Sequence, residues 1–144
     1  MKKILLMAVV STTGMTLFSY LLSVIFKEKF LETAQLNRLA FPKNPERKKH
    51  HPFGYILHYM VGAFFSAFYY AGWKKSIVKS NSGSGFLIGL VNGIIGIAGW
   101  NTVFLLHPKP PKVNRLHYYS QLLAAHVLFG FLNWWTYSKF KKVN

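Results

Sequence analysis

The chain has 144 residues, enough for one domain of ordinary size. Hydrophobic residues make up 51% and aromatics 17%, and eighteen Lys and Arg outnumber three acids, for a formal charge of +15. With no cysteine, disulfides, thiolate metal sites, Cys nucleophiles and iron–sulfur ligation are excluded, and three carboxylates leave little room for a paired-carboxylate enzyme.

Lys, Arg, Asp and Glu are absent from four long runs: residues 4–26, 52–73, 80–107 and 116–138. Each reaches the roughly 20 residues that cross about 30 Å of hydrocarbon at about 1.5 Å per residue. A soluble helical bundle would instead place charges every few residues along its outer faces. The expectation is an all-α fold, a bundle of four transmembrane helices forming one domain over 1–144. The spans are placed at about 4–26, 53–73, 84–106 and 117–137, with a basic interfacial loop over 27–52.

Met1-Lys2-Lys3 followed by Ile4-Leu5-Leu6-Met7-Ala8-Val9-Val10 has the outline of a secretory signal. The apolar stretch continues through Ser11-Thr12-Thr13-Gly14 to Phe26 with no lipobox cysteine, so an uncleaved first span is expected. Thr12, Thr16, Ser19 and Ser23 give this span a surface of small polar residues at helical spacing.

The first connection contains Phe30, Leu31, Ala34, Leu36 and Leu39 among polar residues, as in a short helix lying in the headgroup layer and ended by Pro42 and Pro45. Arg47-Lys48-Lys49 then forms a basic patch suited to anionic lipid headgroups. The second connection carries turn chemistry at Ser80-Asn81-Ser82-Gly83-Ser84. The third, His107-Pro108-Lys109-Pro110-Pro111-Lys112, is stiffened by its prolines. Connections this short make neighbouring spans antiparallel.

Ten basic residues fall on the side of the first and third connections and eight on the side of the termini. That is nearly balanced; the first span alone, with two before it and seven after, favours cytoplasmic first and third connections.

In the third span Gly85, Gly89, Gly93, Gly96 and Gly99 fall on one broad face, a groove for close helix packing in lipid. The first span, through Thr12 and Thr16, is the expected partner surface. The other uses of such a stripe are a homo- or hetero-oligomeric seam, or a groove for lipid or substrate.

His58-x3-Gly62 in the second span matches His126-x3-Gly130 in the fourth, and Tyr69 and Tyr137 fall eleven residues beyond each histidine. Both spans run the same way, which fits two parallel helical-hairpin repeats. His58 and His126, with His107 and His117 at the same side, form the candidate polar or ligand site. Intramembrane histidines point inward or to water, and imidazole is a frequent metal ligand. Aromatics at the span ends form an interfacial belt, and the basic charge suits anionic lipid; nucleic acid is not an expected partner.

The Ser11-Thr12-Thr13-Gly14-Met15-Thr16 run, His58 with Gly62, the glycine-rich third span and His126-Val127-Leu128-Phe129-Gly130 together resemble a loose group of small four-span bacterial integral membrane proteins. Where such proteins often carry a second glycine after the span-two motif, this chain has Ser66. The resemblance implies the architecture and a multi-pass place in the bacterial cytoplasmic membrane, and it brings no activity with it.

No acid lies within the spans to couple protons to transport, and neither a Ser–His–acid set nor a phosphate-binding loop is apparent. The expected function is therefore a non-catalytic integral membrane accessory or interaction protein without a cofactor. The alternative is a small carrier or cofactor-bearing protein that uses His58 and His126 for haem, metal or a lipid headgroup.

Overall fold

The computed structural model describes residues 1–141, which form five helices and, among the described residues, no strand. They are α1 (Lys2–Phe26), α2 (Glu32–Ala40), α3 (Pro52–Lys74), α4 (Ser82–Leu106) and α5 (Arg115–Lys141). Each of the four uncharged runs contributes one long helix. Two of these, α1 and α4, are apolar and long enough to cross a membrane.

Local chemistry sets the helix ends. Lys27 closes α1 in the left-handed conformation with φ 54°. His51 precedes Pro52, the first residue of α3, and its ring accepts from the Phe53 N–H. This uses proline where a helix needs no N–H donor. Asn81 caps α4: its Oδ1 accepts from Ser84 N–H at 2.7 Å, and Ser84 Oγ accepts from Asn81 N–H at 3.3 Å. Two orphan donors are thereby satisfied together, so the serine-rich turn is a helix start as well as a connection.

The middle of the bundle is α5, which packs against α4, α1 and α3. Cross-helix pairs fix the directions. Thr13 bonds Tyr59 and Ser19 bonds Gln121, while Gly89 meets His126 and Gly93 meets Leu123. Residue numbers rise on one helix as they fall on the other, so α1 is antiparallel to α3 and α5, and α4 is antiparallel to α5. Met7, Met15, Phe104, Tyr118, Leu122 and Phe129 form the apolar core between them.

The glycine stripe has a different partner from the one expected. It packs on α5, not on α1. A Cβ added at Gly89 would sit 2.6 Å from the His126 carbonyl oxygen, and one at Gly85 would sit 2.7 Å from the Trp134 Cβ. Gly130 of α5 lies directly against Gly85 and Gly89. Glycine on both helices lets the backbones touch, and the short connection between α4 and α5 already makes them neighbours. Of the outer stripe residues, Gly96 faces the His126 ring, and Gly99 faces open space. On α1, Thr12 instead fills the notch at Gly62 of α3, and the Thr16 hydroxyl donates back to the Thr12 carbonyl at 2.7 Å.

The first connection does form the expected short helix, and α2 packs against α3. Glu32, Thr33, Gln35, Asn37 and Arg38 are all buried. Asn37 holds the insertion in place. Its amide nitrogen donates to the carbonyls of Lys49 (3.1 Å) and His51 (2.7 Å), and its Oδ1 accepts from Gly54 N–H (2.8 Å). Buried polar residues demand such partners, and Asn37 finds all three of its own on the backbone.

Candidate functional site

Helices α3 and α4 join near their connection, where Trp73 Nε1 donates to Ser84 Oγ at 3.2 Å. Above this point they separate around a cavity of about 330 Å³. Its walls are largely apolar and come from every helix: Met15, Leu36, Val61, Phe65, Ile95, Trp100 and Phe129 among them. Its polar groups are few: Thr12, Glu32, His58, Asn92 and His126.

His58 of α3 and His126 of α5 both line this cavity. His126 Nδ1 lies 2.8 Å from the Leu122 carbonyl oxygen, one turn earlier on its own helix. That bond places the ring proton on Nδ1 and leaves Nε2 as an acceptor. Gly96 makes room for the ring: a Cβ there would stand 3.2 Å from His126 Nε2. His58 Nε2 is buried and has no hydrogen-bond partner in the protein. The amide oxygen of Asn92 has no partner either.

His107 and His117 are elsewhere. His107 Nδ1 accepts from the Lys109 N–H in the third connection at 3.2 Å. His117 is exposed and sits 3.2 Å from Glu28 Oε1 on the surface. The candidate site therefore keeps two of its four histidines. Among the described residues no three of His, Asp or Glu converge as a metal ion requires.

The residue that sequence reasoning missed is Glu32. It belongs to a connection in the sequence, yet α2 carries it into the bundle, where it is 2% exposed. Ser19 Oγ donates to Glu32 Oε1 at 3.1 Å, and Gln121 Nε2 approaches the same oxygen at 3.3 Å. Gln121 Nε2 also donates to Ser19 Oγ at 2.6 Å. Oε2 has no partner. Burial pushes this carboxyl up to about 7, against the smaller opposing pull of its backbone, Gln121 and Ser19 hydrogen bonds. An acid therefore sits within the bundle although none lies in the four uncharged runs. The signal that could have found it lies in the amides: Gln121, Asn92 and Asn133 interrupt apolar runs, and such groups face a bundle interior with polar partners.

The basic residues lie away from the cavity. Arg38, buried on α2, pairs with Glu46 through two bonds of 3.2 and 3.3 Å. These contacts hold the Glu46 carboxyl below its ordinary range, the Arg38 hydrogen bond contributing most. Lys49 joins the same acid at 3.9 Å, and Lys48 lies over the Phe41 ring at 5.9 Å. Arg47 and Lys48 are exposed at the mouth of the first connection.

Comparison with protein-family models, curated proteins and solved structures gives no match for this chain.

Proposed function

We propose that this chain is a multi-pass membrane protein with four spans whose cavity receives a small amphiphilic molecule, acting as a non-catalytic carrier. The observation that carries the reading is the cavity itself, apolar along its walls and polar at Glu32, His58, Asn92 and His126. Such a lining matches a ligand with a hydrocarbon body and one polar end. Of the two roles drawn from the sequence, the carrier is the one this geometry favours, with the histidines as polar contacts.

The membrane reading is supported by an inverted distribution of side chains. Leu17, Leu21, Met60, Phe64, Leu87, Ile94 and Phe131 point outward and are exposed, whereas Ser11, Thr12, Ser66, Asn92, Gln121 and Asn133 are buried. Water would favour the reverse, and hydrocarbon favours this arrangement. Arg47, Lys48 and Lys49 then sit where anionic headgroups would meet them. In both hairpins the glycine one turn beyond the histidine receives the preceding long helix, Gly62 meeting Thr12 and Gly130 meeting Gly89. This supports a parallel repeat, with the cavity where α3 and α4 part.

Native mass spectrometry of the protein released from nanodiscs tests the carrier role. Gly99 lines the exposed rim of the cavity and a Cβ there meets nothing within 4 Å, so Gly99→Trp places an indole at the cavity entrance without a clash at its first carbon. Wild type should retain small-molecule adducts that Gly99→Trp loses. Equal retention by both would reject the cavity as the binding site.

A further inference from the structure

We propose that the ligand end of the cavity is a site for an organic ammonium ion, an amphiphile with a protonated amine that binds against Glu32. The inference rests on the carrier reading above and adds the charge of the ligand to it.

The cavity has an unusual charge balance for a protein with eighteen basic residues. Its one charged lining residue is an acid, and no Lys or Arg lines it. The single buried basic residue among those described, Arg38, is committed to Glu46 outside. Facing Glu32 are Ser19 from α1 and Gln121 from α5, with the neutral Tyr118 phenol nearby and His58 and His126 further along the same cavity. Nothing fixed in the protein neutralises the carboxylate.

Glu32 Oε2 is buried without a partner, and an ammonium head, which offers up to three donors and no acceptor, is the complement of a carboxylate oxygen. Trp100, Phe65 and Phe129 supply ring faces around the same space, and aromatic faces attract organic cations. An anionic head would meet the ionised Glu32 with repulsion, and a neutral alcohol would leave the carboxylate charge unmatched.

Binding has a proton balance. When Glu32 is protonated, arrival of the ammonium ion displaces one proton from its carboxyl to solvent, so the net charge of the site stays constant. When Glu32 is already ionised, the cation binds with no release.

Three probes with one skeleton separate the alternatives: 4-phenylbutylamine, 4-phenylbutan-1-ol and 4-phenylbutyrate, each titrated into protein nanodiscs against empty nanodiscs. The amine should bind wild type about tenfold or more tighter than the alcohol, as expected for a charge met by a buried carboxylate. Glu32→Gln, which keeps the shape and can keep the Ser19 and Gln121 contacts, should remove that advantage, bringing the amine's affinity down to that of the alcohol or below. Proton release measured on wild type in weak buffer gives a readout that needs no variant: about one proton per bound amine well below pH 7 and close to none well above it. If amine and alcohol bind equally and Gly99→Trp abolishes both, the cavity stands and the cation assignment fails. Preference for the carboxylate, or no proton release at low pH, also overturns it. If no probe binds and Gly99→Trp changes nothing, the carrier reading falls as well.

Discussion

Gln121 and Glu32, 89 positions apart in the chain, meet at 3.3 Å inside the bundle, with Ser19 bonded to both. Three helices, α5, α2 and α1, thus converge on one carboxyl oxygen. The contact holds the inserted helix against the bundle and fixes Glu32 as the polar end of the cavity.

The stability contributed by Glu32 should fall as pH rises through the interval in which it titrates. Its carboxyl moves from an ordinary 4.5 to about 7 on folding, so between those values the folded protein holds more protons than the unfolded chain. The stabilisation of the folded state is then complete below the unfolded value and lost as pH climbs toward the folded one. The loss is on the order of 3 kcal/mol. Glu46, held low by Arg38, acts the opposite way and only below 4.5. Measured against Glu32→Gln, the thermal midpoint of wild type should decline across the interval; parallel slopes in the two proteins would remove Glu32 as the cause.

The two ends of the glycine stripe should respond differently to the same change. Gly89→Ala forces a Cβ toward the His126 carbonyl oxygen and Val127 Cα, an overpacking cost of about 1–3 kcal/mol. Gly99→Ala meets open space and should be close to neutral. Unfolding in mild detergent compares them, and equal tolerance would mean that α4 does not lie on α5 as described.

Asn37→Ala should loosen α2 from the bundle. Three hydrogen bonds to the backbone are lost together, at about 1 kcal/mol each, and Gly54 N–H and two carbonyls are left to find water. Faster amide exchange at Gly54 and quicker proteolysis within residues 41–51 are the expected signs. Unchanged exchange would show that packing alone holds the insertion.

The absence of cysteine makes topology directly measurable. Leu17→Cys and Phe64→Cys, on exposed apolar faces, should resist a water-soluble maleimide in intact membranes, whereas Lys109→Cys in the third connection should label. The protein should also remain in the membrane fraction after carbonate washing. Rapid labelling at Leu17 and Phe64 would reject the four-span arrangement.

The four long helices were legible in the sequence because the signal is local: an uncharged run of sufficient length between basic connections. Their antiparallel order followed from the short connections, and His58 and His126 were picked out as polar groups within apolar runs. The partner of the glycine stripe was not legible. A row of glycines marks a groove but not its occupant, and only the facing Gly130 on α5 settles which backbone can enter. The site was half visible for the same reason. Periodicity marks Glu32 as one acid in a polar stretch that could lie at a surface. Its burial depends on Asn37 gripping the carbonyls of Lys49 and His51, and on Ser19 and Gln121 arriving from helices distant in sequence. Helix formation is decided within a few turns of chain, so the sequence by itself determined where the helices lie. The environment of one carboxyl is decided by everything packed around it, and that belonged to the tertiary structure alone.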